Sequence, residues 1–338
     1  MEPLAALRRI AFLLERRLEP TYRVKAFRNA ADVVLAQGPA ISERIEKGTL
    51  EELPGIGKAT AAVIIQAASG AVPDYLAKLE AGSGPLVELD AAATEILAAL
   101  RGDLHTHSDW SDGGSPIEEM AVTAIELGTS YQALTDHSPR LTVAHGLTAQ
   151  RLEKQLSVLD TLTGRLGEFR LLSGIEVDIL EDGQLDQKPE LLSRLDVVVA
   201  SVHSKLAMDS GAMTRRMIAA VEDPNTNILG HCTGRLVGAK KRAQSSFDAP
   251  AVFAACAAND VAVEINSRPE RLDPPLELLQ LAVEAGCVFS IDTDAHAPGQ
   301  LDWKPYGCAK ASEAQVPLER IVNTWPVERL LEWAGSRG

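Results

Sequence analysis

The sequence predicts an α/β protein in which a parallel barrel of alternating strands and helices follows a small all-α segment. Three observations carry this expectation. From Asp103 onward, apolar strand-like runs alternate with helical patterns, which is how a parallel sheet reads. Nearly every histidine motif falls at the C-terminal end of such a run, where a β/α barrel gathers its catalytic groups, and this favours closure over an open sheet. Residues 1 to about 70, in contrast, read as helices alone.

In that first segment Leu4, Leu7, Ile10, Ala11, Leu14 and Leu18 keep a helical period, and Phe27, Ala30, Ala31 and Val34 resume it after the break at Pro20. Leu53-Pro54-Gly55-Ile56-Gly57-Lys58 follows. Pro-Gly ends one helix, two glycines permit a tight turn, and the N–H groups opening the next helix make an anion site. Such a helix-hairpin-helix grips a phosphate backbone without reading bases, so Gly55, Gly57 and Lys58 are the expected DNA contacts. A plain tight turn between packed helices is the alternative. Residues 1–75 are expected to form this domain, 76–100 a linker and connecting helix, and 101–338 the barrel. The linker signal is Gly82-Ser83-Gly84-Pro85, and the connecting helix is the apolar stretch Leu89 to Leu100.

Beyond it, strands are expected at Tyr131 to Thr135, Leu171 to Val177, Val197 to Val202, Ile228 to His231, Ala262 to Ile265 and Val288 to Ile291. Helices are expected between them at Ile117 to Leu127, Ala149 to Leu166, Met213 to Val221, Pro250 to Asn259 and Pro275 to Ala285.

Six of the 7 histidines lie in short motifs with Asp or Glu close by. His105 and His107 are two apart, so on a strand both point to one side and can hold one ion. His137, His203 and His231 end further strands, and Asp294 with His296 repeats the spacing of the first pair. Glu176 ends an apolar strand, a costly placement unless a cation neutralises it, which makes it a candidate bridging ligand. Asp112, in the loop Ser111-Asp112-Gly113-Gly114-Ser115, reads either as a ligand folded over the barrel mouth or as a turn carboxylate. Asp136 either orients a neighbour or binds metal, and Cys232 is either a buried thiol or a further ligand. Imidazole and carboxylate together suit Mn, Zn or Fe, whereas Mg alone fits poorly.

The bulk numbers narrow the class. A chain of 338 residues, 46% hydrophobic, can bury a full core. No signal-peptide h-region and no apolar run of membrane-spanning length occurs, so a soluble cytoplasmic protein without membrane partners is expected. The 4 cysteines are widely spaced without CxxC, which argues against a disulfide scaffold and a zinc ribbon. The net charge of -14 is uneven: residues 1–70 carry ten Lys/Arg against eight Asp/Glu, so the remaining residues carry -16.

Arg101-Gly102-Asp103-Leu104-His105-Thr106-His107, Leu134-Thr135-Asp136-His137-Ser138, Gly174-Ile175-Glu176-Val177-Asp178, Ala200-Ser201-Val202-His203-Ser204, Gly230-His231-Cys232-Thr233-Gly234-Arg235 and Thr293-Asp294-Ala295-His296 are its chemical motifs. In that order they resemble the motifs of the PHP (polymerase and histidinol phosphatase) domain, in particular that of bacterial X-family DNA polymerases. Tyr22 to Ala31 and Leu53 to Lys58 resemble the small helix-hairpin-helix domain of the same polymerases. The resemblance implies a distorted (β/α)7 barrel with three divalent metal ions. By it, His105, His107, Glu176 and Asp294 hold the first, Asp112, His137 and His296 the second, and Glu176, His203 and His231 the third. Glu176, Asp294 and His203 are thus expected at the catalytic centre, with Arg235 as a phosphate clamp whose fork matches two oxygens. Arg268 and Arg271 are further substrate-binding candidates. At His145 relatives more often carry Arg, so it is either a phosphate contact or a surface histidine.

Two departures limit the resemblance. The short stretch between hairpin and Asp103 has no room for a polymerase palm, and Ala59 to Ala68 lacks the lysine that Schiff-base lyase chemistry needs. The expected reaction is metal-assisted phosphoester hydrolysis. The first candidate is a repair enzyme acting on DNA 3′ ends, as a 3′–5′ exonuclease or 3′-phosphatase. The second is a small-molecule phosphomonoesterase of the histidinol-phosphatase type, and the third a non-catalytic DNA-binding module.

Overall fold

The computed structural model describes residues 1–336, which divide into two compact units, Met1–Pro85 and Leu86 onward. In the first, five helices follow one another: α1 (Pro3–Arg16), α2 (Thr21–Gln37), α3 (Ala40–Glu46), α4 (Lys58–Ala68) and α5 (Asp74–Ala81). Their core is the helical-period set of the sequence, with Leu7, Ile10, Ala11 and Leu14 of α1 packing on Phe27, Ala30, Ala31 and Val34 of α2 and on Ile64 of α4. An ion pair is buried beside it, Arg28 Nη2 to Glu15 Oε2 at 2.7 Å. Its bidentate geometry, with Nε on Oε1 at 2.8 Å, offsets the desolvation of both charges.

The second unit opens with α6 (Ala91–Ala99), capped by Asp90, whose carboxylate accepts the Ala93 N–H at 2.7 Å. Then β1 (Gly102–Thr106), α7 (Ile117–Glu126), β2 (Tyr131–Leu134), α8 (Ala149–Thr163), β3 (Arg170–Asp178), α9 (Pro189–Leu192) and β4 (Val197–Ser201) alternate. They continue as α10 (Ser210–Glu222), β5 (Ile228–Leu229), α11 (Ala249–Ala258), β6 (Ala262–Asn266), α12 (Leu276–Glu284), β7 (Phe289–Asp292), α13 (Lys304–Glu313) and α14 (Val327–Gly335). All seven strands are parallel and stand in sequence order, the expected (β/α)7 barrel.

Strand alternation sorts the side chains into two layers. Ile175, Val177, Val198, Ala200, Val263 and Ile265 pack outward with α10, α11 and α12. The alternate residues Leu172, Val197, Val199, Ile228 and Ala262 form an inner apolar floor with Trp325, Leu330 and Trp333. Continuing that alternation, Glu176 and Glu264 face inward above the floor, both at 1% exposure or less. The barrel is distorted where it closes. β1 and β7 share no ladder; they meet at the Thr106↔Ala295 bridge and through two carboxylates. Asp292 Oδ1 accepts the Leu104 N–H at 2.7 Å and Asp103 Oδ1 the Thr293 N–H at 3.2 Å.

Element boundaries differ from the sequence expectation mainly at β5, which is two residues long instead of four. A side chain at Gly230 would begin 2.3 Å from Ser201 Oγ and 2.7 Å from Val199 Cγ1. Only glycine lets the two chains come this close, and past it the backbone leaves the sheet with His231. No helix among the described residues is long and apolar enough to cross a membrane.

Candidate metal centre

The nine expected ligands meet at the C-terminal end of the strands. β1 brings His105 within the strand and His107 just past it; Glu176 projects from β3; His203 and His231 lie two residues beyond β4 and β5. Asp294 follows β7 in a left-handed conformation, φ 51°, which Asp tolerates better than most residues. His137 follows β2, and Asp112 comes from the loop after β1. That loop is held by Asp136, whose carboxylate accepts the Ser108 N–H at 2.8 Å, the Ser108 hydroxyl at 2.6 Å, the Ser111 hydroxyl at 2.5 Å and Gln155 Nε2 at 2.6 Å. Of the two readings of Asp136, the structure favours orientation of a neighbour.

Glu176 is the centre of the cluster. Its Oε2 lies 3.3 Å from His105 Nε2 and 2.8 Å from His137 Nδ1; its Oε1 lies 3.2 Å from His203 Nε2 and 2.8 Å from His231 Nε2. To one side, His107 Nε2 is 3.5 Å from Asp294 Oδ1. To the other, Asp112 Oδ1 is 3.4 Å from His137 Nε2 and 3.3 Å from His296 Nε2. Among the described residues, three groups of candidate ligand atoms are close enough to share an ion: His105, His107 and Asp294; His107, Asp112, His137 and His296; and His137, Glu176 and His203. His107 and His137 thus stand between groups that the resemblance keeps separate, and the His231 ring reaches the cluster at Glu176 Oε1.

These residues fit divalent ions on two counts. Buried polar atoms normally find partners, yet both oxygens of Glu176 and both ring nitrogens of His107, His203 and His231 are buried without a hydrogen bond. Unsatisfied groups in such number are costly unless cations occupy the space between them. Two N/O ligands ~2.0–2.1 Å from a tetrahedral ion stand ~3.4 Å apart, which matches most of the separations above.

The charges are arranged to the same end. Against the penalty of burial, His203, His105 and His137 hold the Glu176 carboxyl well below its ordinary range. Likewise, against burial, Arg271 and His107 hold Asp294 ionised. Burial, with His296 and His137 alongside, keeps His107 well below the usual histidine value, neutral and ready to ligate. The His105 Nδ1–H donates to Glu264 Oε1 at 2.5 Å, which turns Nε2 toward Glu176, while His296 Nδ1 stands between the Asp294 carbonyl at 2.8 Å and Arg268 Nη1 at 3.2 Å.

Arg235, expected as the phosphate clamp, is committed elsewhere. Its Nε donates to the Arg271 carbonyl at 3.0 Å and its Nη2 to the Leu272 carbonyl, so it pins a loop. The arginines that reach the cluster are Arg271, with Nε 3.0 Å from Asp294 Oδ2, and Arg268, with Nη1 3.2 Å from the Asp294 carbonyl and from His296 Nδ1. Arg271 Nη1 is buried without a partner. His145 is exposed, in a left-handed turn. Cys232 donates Sγ–H to Asp273 Oδ1 at 3.8 Å, and burial beside that carboxylate pushes its thiol well up, away from the thiolate that a ligand needs. All four cysteines are buried and free.

In the helical unit the hairpin turns at Gly55, φ 94°, where any side chain would begin 3.2 Å from Val33 Cγ2 of α2. Ile56 is buried beneath it, while Gly55, Gly57 and Lys58 are exposed at the start of α4. The Gly57 N–H donates to Thr60 Oγ1 at 2.9 Å.

Comparison with known proteins places this architecture. Residues 103–268 match the family model of the PHP domain and residues 1–69 that of a helix-hairpin-helix domain. The chain carries a PHP domain, with a helix-hairpin-helix domain preceding it. It is 38% identical over 243 residues to the "DNA polymerase/3'-5' exonuclease PolX" of Bacillus subtilis, a match covering 71% of this chain and 42% of that protein. The chain therefore spans less than half the length of that relative. The "Probable phosphatase YcdX" of Escherichia coli is 28% identical over 251 residues, covering 70% of this chain and 94% of YcdX. A histidinol phosphate phosphatase from Lactococcus lactis, solved with Zn, L-histidinol and phosphate, matches at a TM-score of 0.41 and 18% identity, over 70% of this chain and 94% of that one.

Proposed function

We propose that the chain is a metal-dependent phosphoesterase that works at DNA 3′ ends, as a 3′–5′ exonuclease or 3′-phosphatase in DNA repair. The observation that carries this reading is the pairing of the Glu176-centred cluster with an exposed Gly55-Ile56-Gly57-Lys58 hairpin in one chain. The printed name of the Bacillus relative, a 3'-5' exonuclease, supports it.

His105, His107, Asp112, His137, Glu176, His203, His231, Asp294 and His296 would hold up to three divalent ions, with Mn, Zn and Fe suiting the donor set. Bound there, such ions supply Lewis-acid stabilisation of a phosphoryl group and a nucleophile drawn from water. The protein's own part is electrostatic and positional. Arg271, held by Asp294, keeps Nη1 unpaired for a non-bridging oxygen, and Arg268 flanks it. Gly55, Gly57 and Lys58 grip the backbone regardless of sequence.

The second reading, a small-molecule phosphomonoesterase, is favoured by the acidity of the barrel and by the phosphatase relatives matched over nearly their whole length. One assay separates the two. Metal-reconstituted protein is incubated with end-labelled single-stranded, duplex and 3′-phosphorylated DNA alongside histidinol phosphate. Shortening or dephosphorylation of DNA that is lost in Glu176→Gln and His203→Ala supports the first reading; turnover of histidinol phosphate alone replaces it with the second. No turnover of any substrate, with DNA binding intact, leaves only a binding module.

A further inference from the structure

We propose that the loop between Leu236 and Arg242 is a phosphate-binding rim that holds a polynucleotide strand beyond the scissile phosphate, with Lys240 and Lys241 as its contacts. This rests on the reading above and makes it more specific, because it gives the barrel, and not the helical unit alone, a part in choosing a polynucleotide.

Charge singles the loop out. Between His231 and Phe247 the chain carries Arg235, Lys240, Lys241 and Arg242 and no acid, within a protein of net charge -14. The structure divides these four cations by role. Thr233 O accepts the Ser245 N–H at 2.8 Å, and Leu236 and Arg242 exchange backbone hydrogen bonds at 3.0 Å in both directions, forming a neck. Arg235 and Arg242 build that neck. Arg242 Nε donates to the Gly234 carbonyl at 2.6 Å, and Arg235 donates to the carbonyls of Arg271 and Leu272. Lys240 and Lys241 stand exposed at the tip, with no ion pair or side-chain hydrogen bond among the described residues.

The neck fixes where the tip stands. On one side it continues from His231, and on the other the Val237 N–H donates to the Glu270 carbonyl at 2.7 Å, in the segment that carries Arg268 and Arg271 to Asp294. Glu270, the nearby acid, is paired with Arg268 at 3.2 Å. The loop after β4 packs on the same neck, since a side chain at Gly234 would begin 2.7 Å from Leu206 Cδ2, and it adds the exposed Lys205. The rim thus projects from the metal end of the barrel by a few residues, each spanning at most ~3.3–3.6 Å. A phosphomonoester has one phosphoryl group, already met by the cluster and Arg271, and no use for unpaired cations at that remove. A strand whose phosphates recur every ~3.4 Å along a duplex does have one.

The test is a K240A/K241A double variant of the full chain, loaded with metal and compared with the parent by fluorescence anisotropy on single-stranded DNA across a salt series. Each phosphate contact on a single strand contributes ~0.7 to the slope of log K against log salt, so the variant's slope is expected to flatten by about 1.4. The KM for DNA rises severalfold, while hydrolysis of p-nitrophenyl phosphate and the melting temperature stay as in the parent. Unchanged slope and unchanged KM overturn the rim while leaving the functional reading intact. A flattened slope in a protein that hydrolyses p-nitrophenyl phosphate but never DNA keeps the rim as a binding surface and ends the exonuclease reading. A loss of p-nitrophenyl phosphate hydrolysis equal to the loss on DNA places the lysines in the metal site's structure and also overturns the rim.

Discussion

Glu264 gives its two oxygens to two different ligand segments, accepting from His105 Nδ1 at 2.5 Å on one and from the His231 N–H at 2.5 Å on the other. Asn266 Nδ2 steadies it at 3.2 Å and also reaches Asp294 Oδ2 at 3.3 Å. Glu264 therefore orients ligands without being one. Glu264→Gln keeps the shape but offers His105 a weaker, neutral acceptor, so metal affinity is expected to fall ~10–100-fold. Competition against a chromophoric chelator measures this, and an unchanged affinity would refute the positioning role. The signal for Glu264 was present in the sequence: an acid inside the apolar run Ala262 to Ile265 is the same costly placement that singles out Glu176. That these residues would meet was legible because most of the motifs sit beside a strand end. Arg271's precedence over Arg235 was not, since it depends on which carbonyls a loop leaves free.

At the scale of elements, the expected strands and helices lie close to their observed bounds, whereas α9, α14 and, for a physical reason, α13 were not expected. The buried face of α13 includes two lysines, Lys304 and Lys310, and a charged residue at a core position breaks the pattern that marks a helix. Lys310 donates from Nζ to the Leu272 carbonyl, and burial, then Arg235, brings it down to about 8 from the ordinary lysine value. The sign follows from linkage. In the unfolded chain the group titrates near ~10.4, so its contribution to stability is present above that pH and is lost as pH falls through about 8. Below about 8 both states are protonated and the folded state bears the whole cost of a buried charge, up to roughly 3 kcal/mol. Lys310→Met removes this dependence. Between pH 7.5 and 10 the parent is expected to gain stability relative to the variant, by urea unfolding at a series of ~0.5-unit steps across the window that linkage defines. Parallel profiles would show that Lys310 keeps an ordinary pKa.

At the scale of the whole molecule, the two units differ in what can bind them. The core of the first is drawn from Ala6 to Leu79, and the other cores begin at Ala93, with no residue in common. The charge asymmetry read from the sequence follows the same division, residues 1–70 being slightly basic and the remainder carrying -16. Separate cores predict separate cooperative transitions, and among the described residues the clustered candidate ligand atoms lie in the barrel. Metal at 100-fold over its dissociation constant adds ~2.7 kcal/mol to the state that binds it. For a unit of this size that corresponds to a rise of ~5–11 °C, at ~2–4 °C per kcal/mol. Calorimetry with chelator and then with added Mn or Zn is expected to move the barrel's transition by about that much and leave the helical unit's where it was. Duplex DNA without metal is expected to raise the helical transition, because the start of α4 at Lys58 is exposed without any ion, and to raise the barrel's only through the rim at Lys240 and Lys241. If metal moves both transitions together, the units unfold as one and the division of labour proposed here does not hold.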